Sequence, residues 1–262
     1  MMQKWNKKNF YKTMQNKAAE AKSSDEVCTR KEIEQLPAAL QKYCKYIGLE
    51  NFPKYQVVNA RFDKTDFIFD TKSEKVLKMD YDLWLFYDKV FRSAFCRSSI
   101  CGIPFEGSDY VTDDRKGGMQ GFLAKVLPLF NVCDAQGYKA SLISWLAESA
   151  VVNPSVFLSP YVSYEEIDDS HLKATVTYQG VSGSGIFTFR ENGEISEFYS
   201  SERQVEKIDG QMLHLGWKCY CDSYEEKNGI KMPTNIKSTK LFPDGKELVY
   251  FASDHFTVEY LK

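Results

Sequence analysis

Four residues carry the acid–base chemistry that this sequence offers: Glu148, Asp168, Asp169 and Arg203. Glu148 stands near the end of an apolar helical segment, S-W-L-A-E at 144–148, so burying that helix draws its carboxylate toward the interior. There it could meet Arg203 as an ion pair. It could also face Asp168 as a carboxylate pair with separated pKa values, the arrangement a hydrolase uses for a general acid and a general base. Each residue also has a structural role open to it. Asp168-Asp169 reads as a hairpin turn before a strand at His171, and Glu148–Arg203 as a helix-to-sheet salt bridge. An unpaired buried charge is costly, so Glu148 is expected to be satisfied by Arg203 or by another basic or hydroxyl group.

Other chemistries find less support. The stretch G-V-S-G-S-G at 180–185 breaks the nucleophile-elbow pattern, because Ser occupies position 184, and it joins two strands; a glycine-rich hairpin turn is the expectation. With no Lys-Ser/Thr and no following helix it also fails as a phosphate loop. His214, Cys219, Cys221 and Asp222 contain metal-ligand types, but C-x-C is a poor structural spacing and a fourth ligand is unsupported, so neither a metal nor a cofactor is expected. His171 and His255 read as sheet-surface histidines.

Seven irregularly spaced cysteines suggest free thiols in a reducing compartment. Cys219 and Cys221, two apart on a strand, splay too far for a disulfide. With no signal-like apolar run and no stretch of transmembrane length, the reading is cytoplasmic. A net charge of −2 removes any global field for nucleic acid.

The elements that must position these residues follow from periodicity. Residues 1–30 form a basic extension in which Phe10, Met14, Ala18 and Ala21 share a helical face; a helix lying loosely on the rest is expected, with its basic side a candidate for peripheral membrane contact. Residues 31–262 read as a single domain. Thr29 and Glu32 can form a capping box, and a helix from Leu36 to Ile47 ends at Gly48. From Gln56 the period becomes two. Leu77, Met79, Tyr81, Leu83, Leu85 and Tyr87 point one way, and Lys78, Asp80, Asp82, Trp84 and Phe86 the other. Asn192-Gly193, Asn228-Gly229 and Pro243-Asp244-Gly245 are hairpin turns between such strands. Only Ser141–Ala150, stopped by Pro154, interrupts them as a helix.

The succession L-P-A-A-L-Q-K-Y (36–43), W-L-A-E (145–148), N-P-S-V-F-L-S-P (153–160), Y-E-E-I-D-D (164–169), G-I-F-T-F-R-E-N-G-E (185–194), E-R (202–203) and G-I-K-M-P-T (229–234) resembles an uncharacterised bacterial family. The strand order is similar to that of the lipoprotein-carrier group, in which a curved antiparallel sheet wraps helices and can shelter acyl chains. The expected fold is therefore α+β and mostly β: a strongly curved antiparallel half barrel of eight or more strands wrapping helices. Trp84, Phe86, Trp145, Phe187, Phe189 and Trp217 are the aromatics expected to line a cavity in it. A non-enzymatic binding module for an apolar small molecule or lipid is the favoured function. The alternatives are a hydrolase using Glu148, Asp168 or Asp169 with Arg203, and a ligand-free interaction domain.

Overall fold

The computed structural model describes residues 6–22, 24–71, 73–208 and 211–261. Its helices are α1 (Lys7–Glu20), α2 (Arg30–Ile33), α3 (Ala38–Ile47) and α4 (Ala135–Val152), the last followed by a 3₁₀ turn at Pro154–Leu158. The strands are β1 (Val57–Ile68), β2 (Val76–Phe86), β3 (Phe91–Ile100), β4 (Ile103–Val111), β5 (Gly117–Leu123), β6 (Leu127–Asp134), β7 (Val162–Glu166), β8 (His171–Tyr178), β9 (Val181–Phe189), β10 (Ile195–Ile208), β11 (Gln211–Lys227), β12 (Ile230–Leu241), β13 (Glu247–Ser253) and β14 (Phe256–Leu261).

All pair antiparallel into one sheet, in the order β6-β5-β4-β3-β2-β1-β13-β12-β11-β10-β9-β8-β7, with β14 also on β1. The described strands at the two ends, β6 and β7, do not pair with each other, so the sheet is an open half barrel around α4. No helix among the described residues is long and apolar enough to cross a membrane.

Register decides which side chains see α4. Ala60 pairs Leu83, Leu83 pairs Ala94 and Ala94 pairs Asp109, so these four positions form one inner row across β1 to β4. Two residues along β3 from Ala94, Arg92 pairs Leu85 and points the same way. The inner core joins Val58, Ala60, Leu83, Leu85 and Ala94 to Leu142, Trp145, Leu146 and Ala150 of α4 and to Leu40, Tyr43 and Ile47 of α3.

The outer face of the same strands is apolar too. Val57, Trp84, Phe86 and Phe95 form a second core with Phe10 and Met14, both fully buried. Thus α1 is docked on the sheet and not loose, as the sequence had suggested. The Asn6 side chain caps its start, and Tyr11 donates a 2.6 Å hydrogen bond to Asp82. Its exposed side carries Lys7, Lys8 and Lys12.

Turns and caps match their chemistry. Asn228 and Gly229 have φ of 55° and 81°, as a primed turn needs, and Thr29 and Glu32 close the capping box. The 180–185 stretch differs from the sequence reading. Its turn is Gln179-Gly180, whereas Gly183 and Gly185 lie inside β9, where an added Cβ would come within 2.5 Å of the Ile143 side chain and 2.1 Å of the Phe198 ring. These glycines let α4 and β10 approach the strand. Helix α4 starts at Ala135, ahead of Ser141, because Asp134 caps it by accepting from the Gly137 N–H at 2.7 Å.

Candidate functional site: an inner cavity with two arginines

On the inner face, the Arg92 side chain is only 6% exposed, and it is held on three sides. Its Nε and Nη2 donate to the two Glu148 oxygens at 2.5 and 2.8 Å, its Nη1 donates to Asp109 at 2.8 Å, and Nη2 also donates to the Tyr81 hydroxyl at 2.5 Å. Burial alone would lower the Arg92 pKa, but the charges of Glu148 and Asp109 prevail and hold it well above its usual range. Burial pushes the neighbouring Tyr81 phenol far up as well. The two carboxylates are 22% and 28% exposed, so both retain contact with solvent or the cavity. Glu148 is therefore satisfied by a basic group, as expected, but that group is Arg92 and not Arg203.

Arg203 sits elsewhere on the same inner surface. Register between β10 and β11 slips between Ser200 and Gln204, and this irregularity re-aims the side chain. Its guanidinium lies 4.0 Å from the Trp217 ring centre, with Nε donating to Ser144 at 2.7 Å and Nη1 to the Gln204 side chain at 2.8 Å.

Between the two arginines lies a cavity of about 280 Å³. Phe62, Phe67, Phe69, Phe105, Phe130 and Phe251 line it together with Leu83, Ala147 and Val151; Arg92, Asp109, Glu148, Arg203 and Lys240 supply its charges. Met119, also in its lining, is 53% exposed.

A model of a family of unknown function, DUF6544, matches residues 26–253. The chain belongs to this family. That agrees with the resemblance carried by its short motifs, and it leaves α1 ahead of the matched region. No curated protein matches the chain. A solved LolA-superfamily protein from Nitrosomonas europaea is similar at 13% identity over 85% of this chain and 92% of that one, with a TM-score of 0.38.

The expected site residues divide. Glu148, Arg203 and Trp217 line the cavity of this DUF6544 chain. Asp168 and Asp169 do not. Asp168 is 53% exposed in the β7–β8 turn, where it accepts from the Ser170 and His171 N–H groups at 2.8 and 2.9 Å and lies 2.9 Å from the His171 ring. Those backbone donors, with His171, lower its pKa to about 2.

Trp84 and Phe86 face outward under α1, because β2 alternates and its inner positions are Leu83 and Leu85. Trp145, Phe187 and Phe189 are packed in the inner core away from the cavity: Trp145 against Tyr87, Phe187 against Phe157 and Phe189 against Tyr43.

Cys219 and Cys221 point inward, and burial pushes the Cys219 thiol up to about 12. His214 and Asp222 fall on the opposite parity of β11, and among the described residues no group of His, Cys, Asp and Glu is placed to hold a metal. All seven cysteines are free thiols. Sequence reasoning missed Arg92 and Asp109. Their signal was a charged residue at an inner-row position in each of two neighbouring strands.

Proposed function

We propose that the chain is a non-enzymatic binding module that holds an apolar ligand between the curved sheet and α4. The supporting observation is the cavity, walled mainly by aromatic and aliphatic side chains, with its polar groups gathered at a few points. At about 280 Å³ it is close to the lower end of small-molecule pockets, which run from about 300 to 1,000 Å³. It is roughly twice the size of the engineered apolar cavity of about 150 Å³ that takes up benzene.

A hydrolytic site built on Glu148, Asp168, Asp169 and Arg203 has less support. Glu148 gives both oxygens to Arg92, and the two aspartates belong to a surface turn outside the cavity. A protein-interaction role has one specific observation behind it: Leu127, Leu129 and Val132 are exposed on edge strand β6 beside Met119.

Ala147 tests the ligand reading, since this small α4 residue is buried and borders the cavity. Ala147→Trp should place an indole in existing space. Affinity for the neutral fluorescent probe N-phenyl-1-naphthylamine is expected to fall at least about tenfold. Because the space already exists, the melting temperature should change little. Full probe affinity in a folded Ala147→Trp would place apolar binding elsewhere, as the edge-strand reading requires.

A further inference from the structure

The two arginines on the inner surface are not equivalent. Arg92 meets two carboxylates and a phenol, so its charge is answered within the protein. Arg203 is half-buried, and among the described residues its partners are a hydroxyl, a side-chain amide and an indole face, all neutral.

The carboxylates that could have reached Arg203 are engaged. Glu148 and Asp109 hold Arg92, and Glu202, the preceding residue, pairs with Lys139 at 2.6 Å and accepts from Ser184 at 2.7 Å. Burial would raise the Glu202 pKa, but Lys139 and Ser184 lower it, so this carboxylate stays ionised and bound where it is.

A guanidinium with one face on an indole has lost part of its hydration, and neutral acceptors do not return the charge compensation that an anion would. Ser144 and Gln204 fix the plane of the group, occupying Nε and Nη1. The remaining donors border a cavity whose other walls are mainly apolar, with Arg92, Asp109, Glu148 and Lys240 as its other charged side chains. This is a positioned cation beside an apolar chamber.

We propose that Arg203 is the head-group anchor of the cavity, and that the ligand is an amphiphile with an apolar tail and a single anionic head, carboxylate or phosphate. This assignment rests on the reading of the cavity as an apolar-ligand site. The head group lies at Arg203 over Trp217, the tail runs among the phenylalanines, and Arg92 takes no part in recognition because Glu148 and Asp109 already neutralise it. No bond is made or broken; binding replaces water at the guanidinium with an anionic oxygen, a charge-assisted hydrogen bond.

Calorimetric titration of the full chain with decanoate, decyl phosphate, decan-1-ol and decyltrimethylammonium tests this. Wild type is expected to bind one or both anions about 10- to 100-fold more tightly than the alcohol. The cation should bind more weakly than the alcohol. Arg203→Gln should erase the preference, bringing the anions to about the affinity of decan-1-ol, and Arg203→Lys, which keeps the charge, should restore part of it. The two anions, compared with each other, identify which head group is taken. Equal binding of alcohol and anions by wild type would overturn the head-group assignment and leave the apolar cavity standing. A preference that survives in folded Arg203→Gln would move the anchor to another residue. Binding of none of the four would contradict both the assignment and the reading beneath it.

Discussion

Replacing Arg92 by alanine is expected to destabilise the fold by about 3–5 kcal/mol, because it strands the carboxylates of Glu148 and Asp109 side by side. Both are partly exposed, which relieves some of their desolvation and places the effect toward the lower end of that range. Removing Glu148 instead leaves Arg92 with Asp109 and Tyr81, so Glu148→Ala should cost less than Arg92→Ala.

Ionic strength identifies the cause. With the guanidinium gone, the two carboxylates repel each other, and because both are partly exposed their repulsion is screened by salt. The gap in stability between Arg92→Ala and wild type should therefore narrow as salt is added. Urea unfolding of both proteins at low and high salt measures it; a constant gap would mean that lost packing, and not stranded charge, is responsible.

Trp145→Ala is expected to cost about 3–5 kcal/mol, the usual penalty for emptying a large aromatic site in a core. The indole is completely buried at the centre of α4, packs 5.5 Å from the Tyr87 ring and donates to the Phe86 carbonyl at 2.9 Å. It therefore joins the helix to the end of β2 by both packing and a hydrogen bond. Trp145→Phe keeps most of the volume and loses the donor, and should cost about 1–3 kcal/mol. Equal melting of Trp145→Ala and Trp145→Phe would show that the hydrogen bond, rather than the packing, dominates.

The strands, their antiparallel pairing and the α3 and α4 helices were legible because alternation and Asn-Gly turns are local signals. The assignment of faces was legible only in part. Val57, Trp84, Phe86 and Phe95 are apolar because α1 covers them, and Leu83, Leu85 and Ala94 are apolar because α4 does. A sheet covered on both sides gives no contrast by which to choose its inside, and Trp84 and Phe86, expected at the cavity, lie on its other side under α1. The same ambiguity hid Arg92. In F-R-S-A-F the two phenylalanines mark the outer face, so the charged residue of this segment, Arg92, is the one that points in. Arg203 was visible as a candidate, but its place over Trp217 depends on a register slip that no local pattern encodes. Asp168-Asp169 was readable as a turn from the residues alone.

The most direct measurement is native mass spectrometry of the full chain purified from cells without detergent, before and after incubation with decan-1-ol and decanoate. The expected result is a discrete adduct on the purified protein, lost on denaturation in methanol, or one-to-one uptake of the added amphiphile that Ala147→Trp prevents. A bare protein that takes up neither compound, or one whose adduct is unchanged by Ala147→Trp, would contradict the cavity as a ligand site.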